Sequence, residues 1–406
     1  MKALIDSDIF QYEFGNCTDN EFKPLAWPLV QSRVQARIDS IMEATGADSY
    51  QLYLTSDNKS NFRFEIASIR PYKGHRPTEK PYWYQAIRNF LIDHRDAQEV
   101  TGMEADDAIS IAQWDNIIKN GIRLHIDNDH YTLVDYEDYV KIVEFNWQVS
   151  GFGYISRNVN GKTLYLHKYL LGADEETVDH INGNKLDNRR RNLRLCSDKD
   201  NTRNRRALEG KTSIYKGVSY DTQTGKWNCH IKVDSKSIRL GRFDTEIEAA
   251  RQYDINAIRY FGEYVWLNFP PPSYLKGEEE TIICSRDKDL LIVPALHYGW
   301  PAGKQKELKV FYQYELDGLK CFYKQILTGD AVDNIPGLYG VGKSSDTLLP
   351  IMSCDTELDM YGHVLCEYTK RFGSYAEQFL LENARLLWLL RKEGEMWLPP
   401  HQRENK

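Results

Sequence analysis

The alternation of apolar and polar positions divides the chain into two kinds of segment. KALIDSDIF at the start and SYQLYLTSDN (49–58) each have the pattern of a short buried strand that ends in carboxylates, and ETIICSRDKDLLIVP (280–294) repeats it far downstream. Helical periodicity lies between them in AIRNFLIDHR and in TGMEADDAISIAQWDNIIKNG, which Gly121 is expected to close. Strands that end in acids and alternate with helices predict an open α/β sheet with its site at the carboxyl ends of the strands.

In the middle of the chain the pattern changes to that of short antiparallel strands. WQVSGFGYISRNVNGKTLYLHKYLLG is interrupted by Gly and Asn-Gly turns, and IYKGVSYDTQTGKWNCHIKVDSKSIRLGRFDT predicts three strands with turns at TG (224–225) and DS (234–235). A helix over TEIEAARQYDINAIRYFGE is expected next, opened by the capping-box spacing from Thr245 to Glu248. Three prolines in NFPPPSYLKGEEE (268–280) predict a linker.

Composition sets the size class and raises a question about charge. The 406 residues, 41% apolar and 27% charged, predict two or three ordinary globular domains. A net charge of −7 argues against nucleic acid as a partner, because DNA-binding surfaces are basic. Between Lys185 and Lys211, however, ten Lys and Arg stand against four Asp and Glu, an excess of six positive charges (10 − 4). The local basic stretch outweighs the global sum, and most of the acid must cluster elsewhere.

The cysteines and the N-terminal residues bear on the compartment. Seven cysteines without a CxxC pair or regular spacing favour a reducing environment over a disulfide framework or a zinc knuckle. MKALIDSDIF has too few apolar residues before its first acid for a secretory signal, and no apolar run reaches the length that spans a bilayer. We therefore expect a cytoplasmic protein, in an infected bacterial host cell if a phage carries the gene, with no membrane partner and no small-molecule substrate.

Acidic residues occupy the predicted strand and helix ends. They are Asp6, Asp57, Glu104, Asp106, Asp107, Asp287, Asp289, Asp330 and Asp333. Carboxylates this dense repel one another unless hard cations neutralise them, and Mg²⁺ binds through oxygen ligands. Two such ions can clamp both the attacking and the leaving oxygen of a phosphodiester. Any one acidic group alone has the simpler explanation of a solvated helix or loop end, but together they predict a metal site.

Six motifs follow one another along the chain: LIDSD, TSDNKSNFR, RPYKGHR, MEADD, SRDKDL and TGDAVDNIPGLYGVGKSS. With these motifs in this order, the chain resembles the bacteriophage and bacterial 5′–3′ exonucleases of the flap endonuclease family. The resemblance implies a PIN-like parallel sheet and two Mg²⁺ or Mn²⁺ ions. The implied ligands are Asp6, Asp57, Glu104, Asp106 and Asp107, with Asp287, Asp289, Asp330 and Asp333 completing the shell of the second ion. It also implies that Lys73 and Arg76 contact the scissile phosphate from a helical arch and that Tyr72 stacks on a base. A cationic, aromatic stretch opposite acids suits a single-strand channel.

GDAVDNIPGLYGVGKSS resembles the helix-hairpin-helix of that family. In such a motif Gly337, Gly340 and Gly342 would let backbone N–H groups approach phosphate oxygens, contacts that carry no sequence information. The resemblance also allows for a K⁺ ion there. A glycine pair alone indicates only a turn, and Asp330 and Asp333 at the family's spacing strengthen the assignment.

DHINGNKLDNRRRNLRLCSDKDN, with LHKYLLG upstream, resembles the HNH endonucleases of phage introns and free-standing homing genes. A neutral His suits the base that activates water, since its intrinsic pKa is about 6.5. The roles implied are His180 as general base, Asp179 and Asn201 as ligands of one metal ion, Asn192 as the residue that orients His180, and His167 as a buttress. LHKYLLG is equally well explained as a packed core segment. Asp187 and Asn188 are assigned to a type I turn outside the site.

YKGVSYDTQTGKWNCHIKVDSKSIRLGRFDTEIEAARQYDINAIRYFGE (215–263) resembles an AP2 DNA-binding domain, whose three strands lie in the major groove with the helix behind them. The residues that this places on the DNA-facing side are Lys216, Trp227, Arg239 and Arg242. An arginine run upstream is expected to contact phosphates and to give salt-dependent affinity; its members are Arg189, Arg190, Arg191 and Arg194. Arg203, Arg205 and Arg206, further along the chain, are expected to do the same. A solvated helix face is the plainer alternative for such a run.

These assignments divide the chain into four parts. We expect a discontinuous α/β exonuclease domain (1–121 and 273–321), an α+β HNH insert with a ββ-metal core (122–210), an AP2 insert (211–272), and a helix-hairpin-helix with C-terminal helices (322–406). The chain has no His-Asn dipeptide, so removal of the insert as an intein is not expected.

The predicted function is that of a metal-dependent deoxyribonuclease with a two-metal exonuclease or flap site and a one-metal homing-type site. DNA is the expected partner: 5′ ends, flaps or single-strand/duplex junctions for the first site and a duplex target for the second. Two alternatives stay open. In one, the insertion disables the exonuclease and leaves a site-specific homing nickase. In the other, the exonuclease is active and the insert only binds DNA.

Overall fold

The computed structural model describes residues 1–57, 61–74, 79–204, 212–262, 264–269, 280–302 and 305–403. The chain forms two compact units. The outer unit comprises Met1–Lys119 and Glu279–Lys406, and the inserted unit comprises Asn120–Glu278. Most of the linker predicted over 268–280, from residue 270 to residue 279, lies outside the described residues.

The first segment of the outer unit alternates strands and helices, as its periodicity predicts. Its elements are β1 (Lys2–Asp6), α1 (Asp8–Glu13), α2 (Trp27–Thr45), β2 (Ser49–Thr55), α3 (Arg63–Ile66), α4 (Tyr84–Arg95), β3 (Gln98–Val100) and α5 (Ala105–Asn120). Helix α5 ends at the predicted glycine, because Gly121 has a φ of +91° that an L side chain would resist.

The inserted unit consists of short strands and short helices. Its elements are β4 (Ile122–His125), β5 (Tyr131–Val134), α6 (Tyr136–Ile142), β6 (Gln148–Val149), β7 (Ile155–Val159), β8 (Lys162–Tyr165), α7 (Leu166–Leu171), β9 (Thr177–His180), β10 (Leu193–Cys196), α8 (Asp198–Arg203), β11 (Val218–Asp221), β12 (Lys226–Val233), β13 (Lys236–Phe243) and α9 (Glu246–Phe261).

The chain then returns to the outer unit. The remaining elements are β14 (Thr281–Cys284), β15 (Ala295–Gly299), β16 (Leu308–Gln313), α10 (Glu315–Thr328), α11 (Leu349–Ser353), α12 (Glu357–Phe372), α13 (Ala376–Leu387) and α14 (Pro400–Arg403). No helix among the described residues is both long enough and apolar enough to cross a membrane.

The outer unit is built on a six-stranded sheet in the order β16-β15-β14-β1-β2-β3. Strands β15, β14, β1, β2 and β3 run parallel, and β16 is antiparallel to β15. Lys2 of β1 pairs with Ser49 of β2 on one side and with Thr281 of β14, from beyond the insertion, on the other. The predicted α/β class with a parallel sheet is confirmed, and the residues that follow its parallel strands meet at one edge.

Two apolar cores stabilise the outer unit. One lies against the sheet, where Ile5, Leu52 and Leu54 are fully buried beneath helices α2 and α4. The other joins α10, α12 and α13, with Phe322 and Tyr368 fully buried at its centre. Helix α13 contributes the buried side chains of Leu380 and Ala384 to this second core.

The inserted unit contains a ββα arrangement and a separate three-stranded sheet. Strands β9 and β10 are antiparallel, with His180 opposite Leu193 and Asp179 opposite Arg194, and α8 follows them. Strands β11, β12 and β13 form the second sheet, and α9 packs on one face of it. The predicted capping box is present, because Thr245 accepts from the Glu248 N–H and Glu248 accepts from the Thr245 N–H.

Candidate functional site

A pocket of about 390 Å³ opens at the carboxyl edge of the outer sheet. The acidic residues that line it are Asp6, Asp8, Asp57, Glu104, Asp106, Asp287, Asp289 and Asp333. Strand topology explains this gathering: Asp6 ends β1, Asp57 follows β2, Asp106 opens α5 after β3, and Asp287 follows β14. The structure therefore brings together most of the acids that the sequence singled out.

Crowding raises the pKa of the innermost carboxyl groups. Burial, and then repulsion from Asp8 and Asp287, holds the pKa of Asp6 well above its usual range. Burial, and then Asp287 and Asp6, does the same to the pKa of Asp106. Burial, with Asp289 next, raises the pKa of Asp287 to about 6. These groups repel one another when ionised, and a divalent cation would relieve that repulsion.

The side chains of this pocket are partly held by protein cations. Lys73 Nζ forms an ion pair with Glu104, and Arg88 Nε lies 3.5 Å from Asp57 Oδ2. Within the described ranges, no three His, Cys, Asp or Glu side chains converge as the ligands of a metal ion do. The carboxylate donors are nevertheless all hard oxygens that line one pocket, which fits Mg²⁺. For these carboxylates to bind an ion, their ion pairs with Lys73 and Arg88 would have to open.

Asp8 is a pocket residue that the sequence analysis did not assign to the metal site. It accepts from the backbone N–H of Thr55 at 3.0 Å and from the Thr55 hydroxyl. That hydroxyl in turn accepts from the Ala105 N–H at 2.9 Å. Asp8 thus joins the end of β2 to the start of α5 beside Asp6, and the DSD spacing at a strand end is the signal that could have identified it.

Asp107 and Asp330, both predicted as metal ligands, do not line the pocket. Asp107 is fully buried and forms two bonds with the guanidinium of Arg63, at 2.5 and 2.9 Å. Asp330 pairs with Lys288 and is capped by the Val332 N–H at 2.7 Å. The sequence shows acidic clusters without showing which members point into the helix packing. In this structure Asp107 and Asp330 lie in ion pairs away from the pocket lining, and their role as metal ligands stays a prediction.

The residues predicted to contact the phosphate and a base, Lys73, Arg76 and Tyr72, have different surroundings. Tyr72 is 4% exposed and donates to Asp333 Oδ2 at 2.9 Å, so it is not placed to stack on an incoming base. Lys73 lines the pocket with a φ of +52°, and its contact with the scissile phosphate stays a prediction. Arg76 lies outside the described residues.

The three glycines of the proposed hairpin motif differ in burial. Gly337 is buried, and a Cβ on it would come within 2.2 Å of the Gly329 nitrogen. It therefore serves the close approach of two backbone segments, and its predicted phosphate contact is corrected. Gly340 and Gly342 are exposed, with nothing within 4 Å of an added Cβ.

The ββα arrangement of the inserted unit places Asp179 and His180 at the end of β9, both about 5% exposed or less. His180 Nε2 lies 3.2 Å from Asn188 Oδ1. The amide of Asn188 is oriented by donating to Thr132 Oγ1 at 2.9 Å and to the Lys185 carbonyl at 3.2 Å. An oxygen that faces Nε2 requires the proton on Nε2, which leaves Nδ1 as the basic nitrogen of a neutral imidazole.

Burial keeps both histidines of this site neutral. Desolvation lowers the pKa of His180 below its usual value, and burial with the neighbouring His180 lowers the pKa of His167 to about 3. The two rings lie edge to face, with centroids 5.1 Å apart, and the Tyr154 ring lies 5.1 Å from that of His167. His167 thus packs against His180, as a buttress would.

Asp179 is bound by protein donors on both oxygens. Arg194 Nε and Nη2 donate to Oδ2 at 2.9 and 2.7 Å, and Asn204 Nδ2 donates to Oδ1 at 3.1 Å. The same Asn204 amide also donates to the His180 and Ile181 carbonyls, at 3.0 Å each. Asn204 lies about one helical turn after Asn201, whose predicted role as a metal ligand stays a prediction.

Asn192 contacts the loop after β9 and not the His180 ring. Asn192 accepts from the Asn182 N–H at 2.9 Å and donates to the Asp187 carbonyl at 2.7 Å, so it holds the loop after β9. The residue at the His180 ring is Asn188, which had been assigned to a turn. The roles of these two asparagines are therefore exchanged.

The four arginines differ in their surroundings. Arg189 is 5% exposed and paired with Asp187, Arg190 is paired with Asp138, and Arg194 is paired with Asp179. Nearby carboxylates already bind these three guanidinium groups, so a phosphate contact at any of them would require its ion pair to open. Arg191 is exposed and donates to the Asn120 carbonyl at 3.2 Å, which leaves its side chain at the surface.

The three-stranded sheet has one apolar and one polar face. Val218, Cys229 and Ile231 lie in the core under α9, and Trp227 packs against the same core. The opposite face presents exposed Lys226, Lys232, Arg239 and Arg242, with Asn228 between the last two at 3.5 and 3.2 Å from their nitrogens.

Two of the predicted DNA-facing residues are thereby corrected. Trp227 is on the helix side because it alternates with Asn228 along β12. Lys216 turns into the inserted unit, donating to the Arg203 carbonyl at 2.5 Å, and burial lowers its pKa to about 8. Arg239 and Arg242 remain on the exposed polar face.

Comparison with known families bears on these two substructures. Residues 172–203 match the HNH endonuclease family model, and residues 213–263 match the AP2 domain model. The chain carries an HNH domain and an AP2 domain. HNH endonucleases are metal-dependent nucleases, usually with Mg²⁺, and AP2 domains bind DNA. Neither family match extends into the outer unit.

Plant proteins are among the relatives of this chain. The AP2-like ethylene-responsive transcription factor AIL7 of Arabidopsis thaliana is 37% identical over 83 residues, which are 18% of this chain and 17% of that protein. APETALA2-like protein 2 of Oryza sativa subsp. indica is 39% identical over 102 residues, 25% of this chain and 24% of that protein. The chain thus spans less than a quarter of the length of these two relatives.

Proposed function

We propose that this chain is a DNA nuclease with two separate metal-dependent centres. The outer unit is a 5′–3′ exonuclease or flap endonuclease of PIN-like fold, and the HNH–AP2 unit is a homing-type endonuclease that acts on duplex DNA. The observation that carries the first part is the ring of carboxylates at the carboxyl edge of the parallel sheet. The HNH and AP2 matches carry the second.

In the outer unit, Asp6, Asp106, Asp287 and their neighbours would hold two divalent ions. The ions would supply charge neutralisation for the phosphodiester and an activated water. Lys73 stands at the pocket wall beside Glu104, where its ammonium group can bind a phosphate once the carboxylate turns to a metal. Exposed Gly340 and Gly342 leave their backbone accessible to a phosphate of the duplex, and a K⁺ ion at this turn belongs to the same proposal.

In the HNH domain, His180 would accept the proton of the attacking water through Nδ1, with Asn188 holding the ring. Asp179 and the amide of Asn204 or Asn201 would hold one ion, and this requires Arg194 to release Asp179 Oδ2. Arg194 would then be free to bind the phosphate that shares the site. The exposed face with Arg239 and Arg242 would lie in the major groove.

Sheet topology argues against an exonuclease disabled by the insertion. Strand β14, which follows the insert, pairs in register with β1 over four residue pairs, from Lys2–Thr281 to Ile5–Cys284. Asp6 and Asp287 thereby reach the same pocket across the insertion. The second alternative, an insert that binds DNA without cutting it, is disfavoured by the orientation of His180 and Asp179 in the ββα site.

The decisive experiment compares two substrates and two variants. Mg²⁺-dependent cleavage of a labelled 5′-flap DNA and nicking of a randomised duplex library are measured for the parent, Asp287→Ala and His180→Ala. Asp115→Ala, an exposed acid on α5, is the control. We expect Asp287→Ala to abolish flap cleavage alone and His180→Ala to abolish duplex nicking alone. A parent that nicks duplex and leaves the flap intact would establish a homing nickase; one that cuts only the flap would establish a DNA-binding insert.

A further inference from the structure

The AP2 domain contacts the HNH domain through an aromatic segment formed by Phe261, at the end of α9, and by Tyr264 and Trp266 just beyond it. The Phe261 ring lies 4.6 Å from the guanidinium carbon of Arg203, and the Trp266 N–H donates to the Arg203 carbonyl at 3.4 Å. The Tyr264 ring lies 4.5 Å from the guanidinium carbon of Arg194. Two arginines of the HNH domain are thus bound by aromatic residues of the AP2 side.

This aromatic segment is fixed to the body of the AP2 domain. Both oxygens of Asp254 on α9 accept backbone N–H groups, from Asn268 at 2.8 Å and from Phe269 at 2.7 Å. The Asn268 side chain in turn bonds the backbone of Lys216, with its oxygen 2.7 Å from the N–H and its amide 3.1 Å from the carbonyl. Movement of the sheet therefore moves the segment.

On the HNH side the contact leads directly to the catalytic strand. Arg203 precedes Asn204, whose amide bonds Asp179 and the His180 carbonyl. Arg203 is itself held by Asp200, at 2.6 Å, and its carbonyl also accepts from the half-buried ammonium of Lys216 at 2.5 Å. The Lys199–Asp234 pair, at 2.5 Å, also spans the two domains but is solvent-exposed and contributes little.

We infer that docking at Arg203 fixes the DNA-facing sheet of the AP2 domain relative to the catalytic strand of the HNH domain. The distance along DNA between the recognised bases and the cut phosphodiester is then set by this contact, and not by the length of chain 205–211. A domain held only by a flexible chain samples many separations, whereas a docked one has a single separation. This distance between the recognised bases and the cut, the offset, rests on the proposed endonuclease function, whereas the docking itself does not.

The first test maps cut positions in the full chain. A randomised duplex library with Mg²⁺ is nicked, and each cut is placed relative to the enriched motif by sequencing. The variants are Phe261→Ala/Tyr264→Ala, Lys216→Met, and the parent with Gly-Ser-Gly-Ser inserted after Leu208. Ile255→Ala, 63% exposed on the same helix, is the control.

We expect one offset for the parent, the control and the lengthened chain. The Phe261→Ala/Tyr264→Ala variant should enrich the same motif, which shows that its AP2 domain is folded, while its cuts spread over several positions. Lys216→Met, which keeps the apolar packing, should spread them less. The inference is overturned if the lengthened chain spreads or shifts the cuts, or if both contact variants keep the offset of the parent.

The second test measures docking without any cleavage. Hydrogen exchange of peptides that cover 177–183 and 198–204 is followed in the same proteins. Loss of docking should speed exchange by about tenfold in the double variant and leave the control unchanged. Unchanged exchange in the double variant overturns the docking. A parent that nicks no duplex refutes the endonuclease and with it the offset, while the docking is then decided by exchange alone.

Discussion

The acidic pocket of the outer unit and the ββα site of the HNH domain solve the same electrostatic problem in opposite ways. In the pocket, Asp6, Asp106 and Asp287 are buried together and their pKa values are raised by burial and mutual repulsion. In the ββα site, the buried Asp179 has a guanidinium on one oxygen and an amide on the other. The first site stores unbalanced negative charge, and the second is balanced by the protein itself.

This difference has consequences for how each centre depends on metal. Binding of divalent ions to the pocket relieves a repulsion that the fold would otherwise sustain, so it should stabilise the outer unit strongly. Binding at Asp179 exchanges one cation for another and should change stability little. Neutralising single residues in each region tests this difference in metal dependence.

The largest effect is expected from Asp106→Asn. Removing one carboxylate from the centre of the pocket should lower Mg²⁺-dependent flap cleavage by about 10³-fold, because charge that the ions need is lost while the shape is kept. Duplex nicking by the HNH domain should be unchanged. Single-turnover rates on both substrates measure this, with Asp115→Asn on the same helix as control. An equal loss on both substrates would contradict two independent centres.

Asp107→Asn, one residue further along, should act on stability instead of directly on chemistry. It leaves the buried Arg63 guanidinium without its carboxylate, at a cost of about 3 kcal/mol in the free energy of unfolding of the outer unit. Urea denaturation followed by fluorescence measures the loss. A variant that loses flap cleavage while its denaturation midpoint stays at that of the parent would show that Asp107 is a metal ligand, as the sequence had suggested.

The third prediction separates two asparagines in the HNH domain. Asn188→Ala frees the His180 ring to change tautomer, so duplex nicking should fall by about 10- to 100-fold and its dependence on pH should change. Asn192→Ala removes a loop contact and should lower stability while keeping the pH profile. Thr132→Val, which removes an acceptor of the Asn188 amide, should give a smaller version of the first effect. If Asn192→Ala alone changes the pH profile, the role assigned from the resemblance is right.

Much of the secondary structure was predictable, because hydrophobic periodicity and the residues that cap or end an element are local signals. Residues within a few positions of one another predict the strands that lead to Asp6 and Asp57, the end of α5 before Gly121, and the capping box at Thr245. The pairing of β1 with β14 was accessible in a different way, through acids that had to share one edge of a sheet.

The directions of side chains were less predictable, because partners distant in sequence decide them. Asp106 and Asp107 are neighbours on one helix, yet one lines the pocket and the other meets Arg63. The exchange of Asn188 for Asn192 depends on Thr132, more than fifty residues away (188 − 132 = 56). The Lys216 ammonium is held by the Arg203 carbonyl, and no local sequence pattern predicts that contact.

The smallest expected effect is a dependence of the free energy of unfolding on pH that comes from Asp287. The pKa of Asp287, about 6 in the folded protein, lies above its ordinary value of 3.8, so between about pH 4 and 6 the folded state keeps a proton that the unfolded state has released. Stability of the metal-free protein is therefore lost as the pH rises through this window. Asp287→Asn, which has no charge to bury, should be more stable than the parent at pH 7 by on the order of 1 to 3 kcal/mol and equal to it near pH 4.

Urea denaturation of both proteins in EDTA from pH 4 to 8 gives this difference directly, with Asp115→Asn as the exposed control. Added Mg²⁺ should then close the gap, because the ions stabilise the parent more than the variant. In the HNH domain the matching change, Asp179→Asn, should show the opposite sign: it deprives Arg194 of its partner and destabilises the metal-free protein. Two variants with the same sign would mean that both centres balance their charge alike.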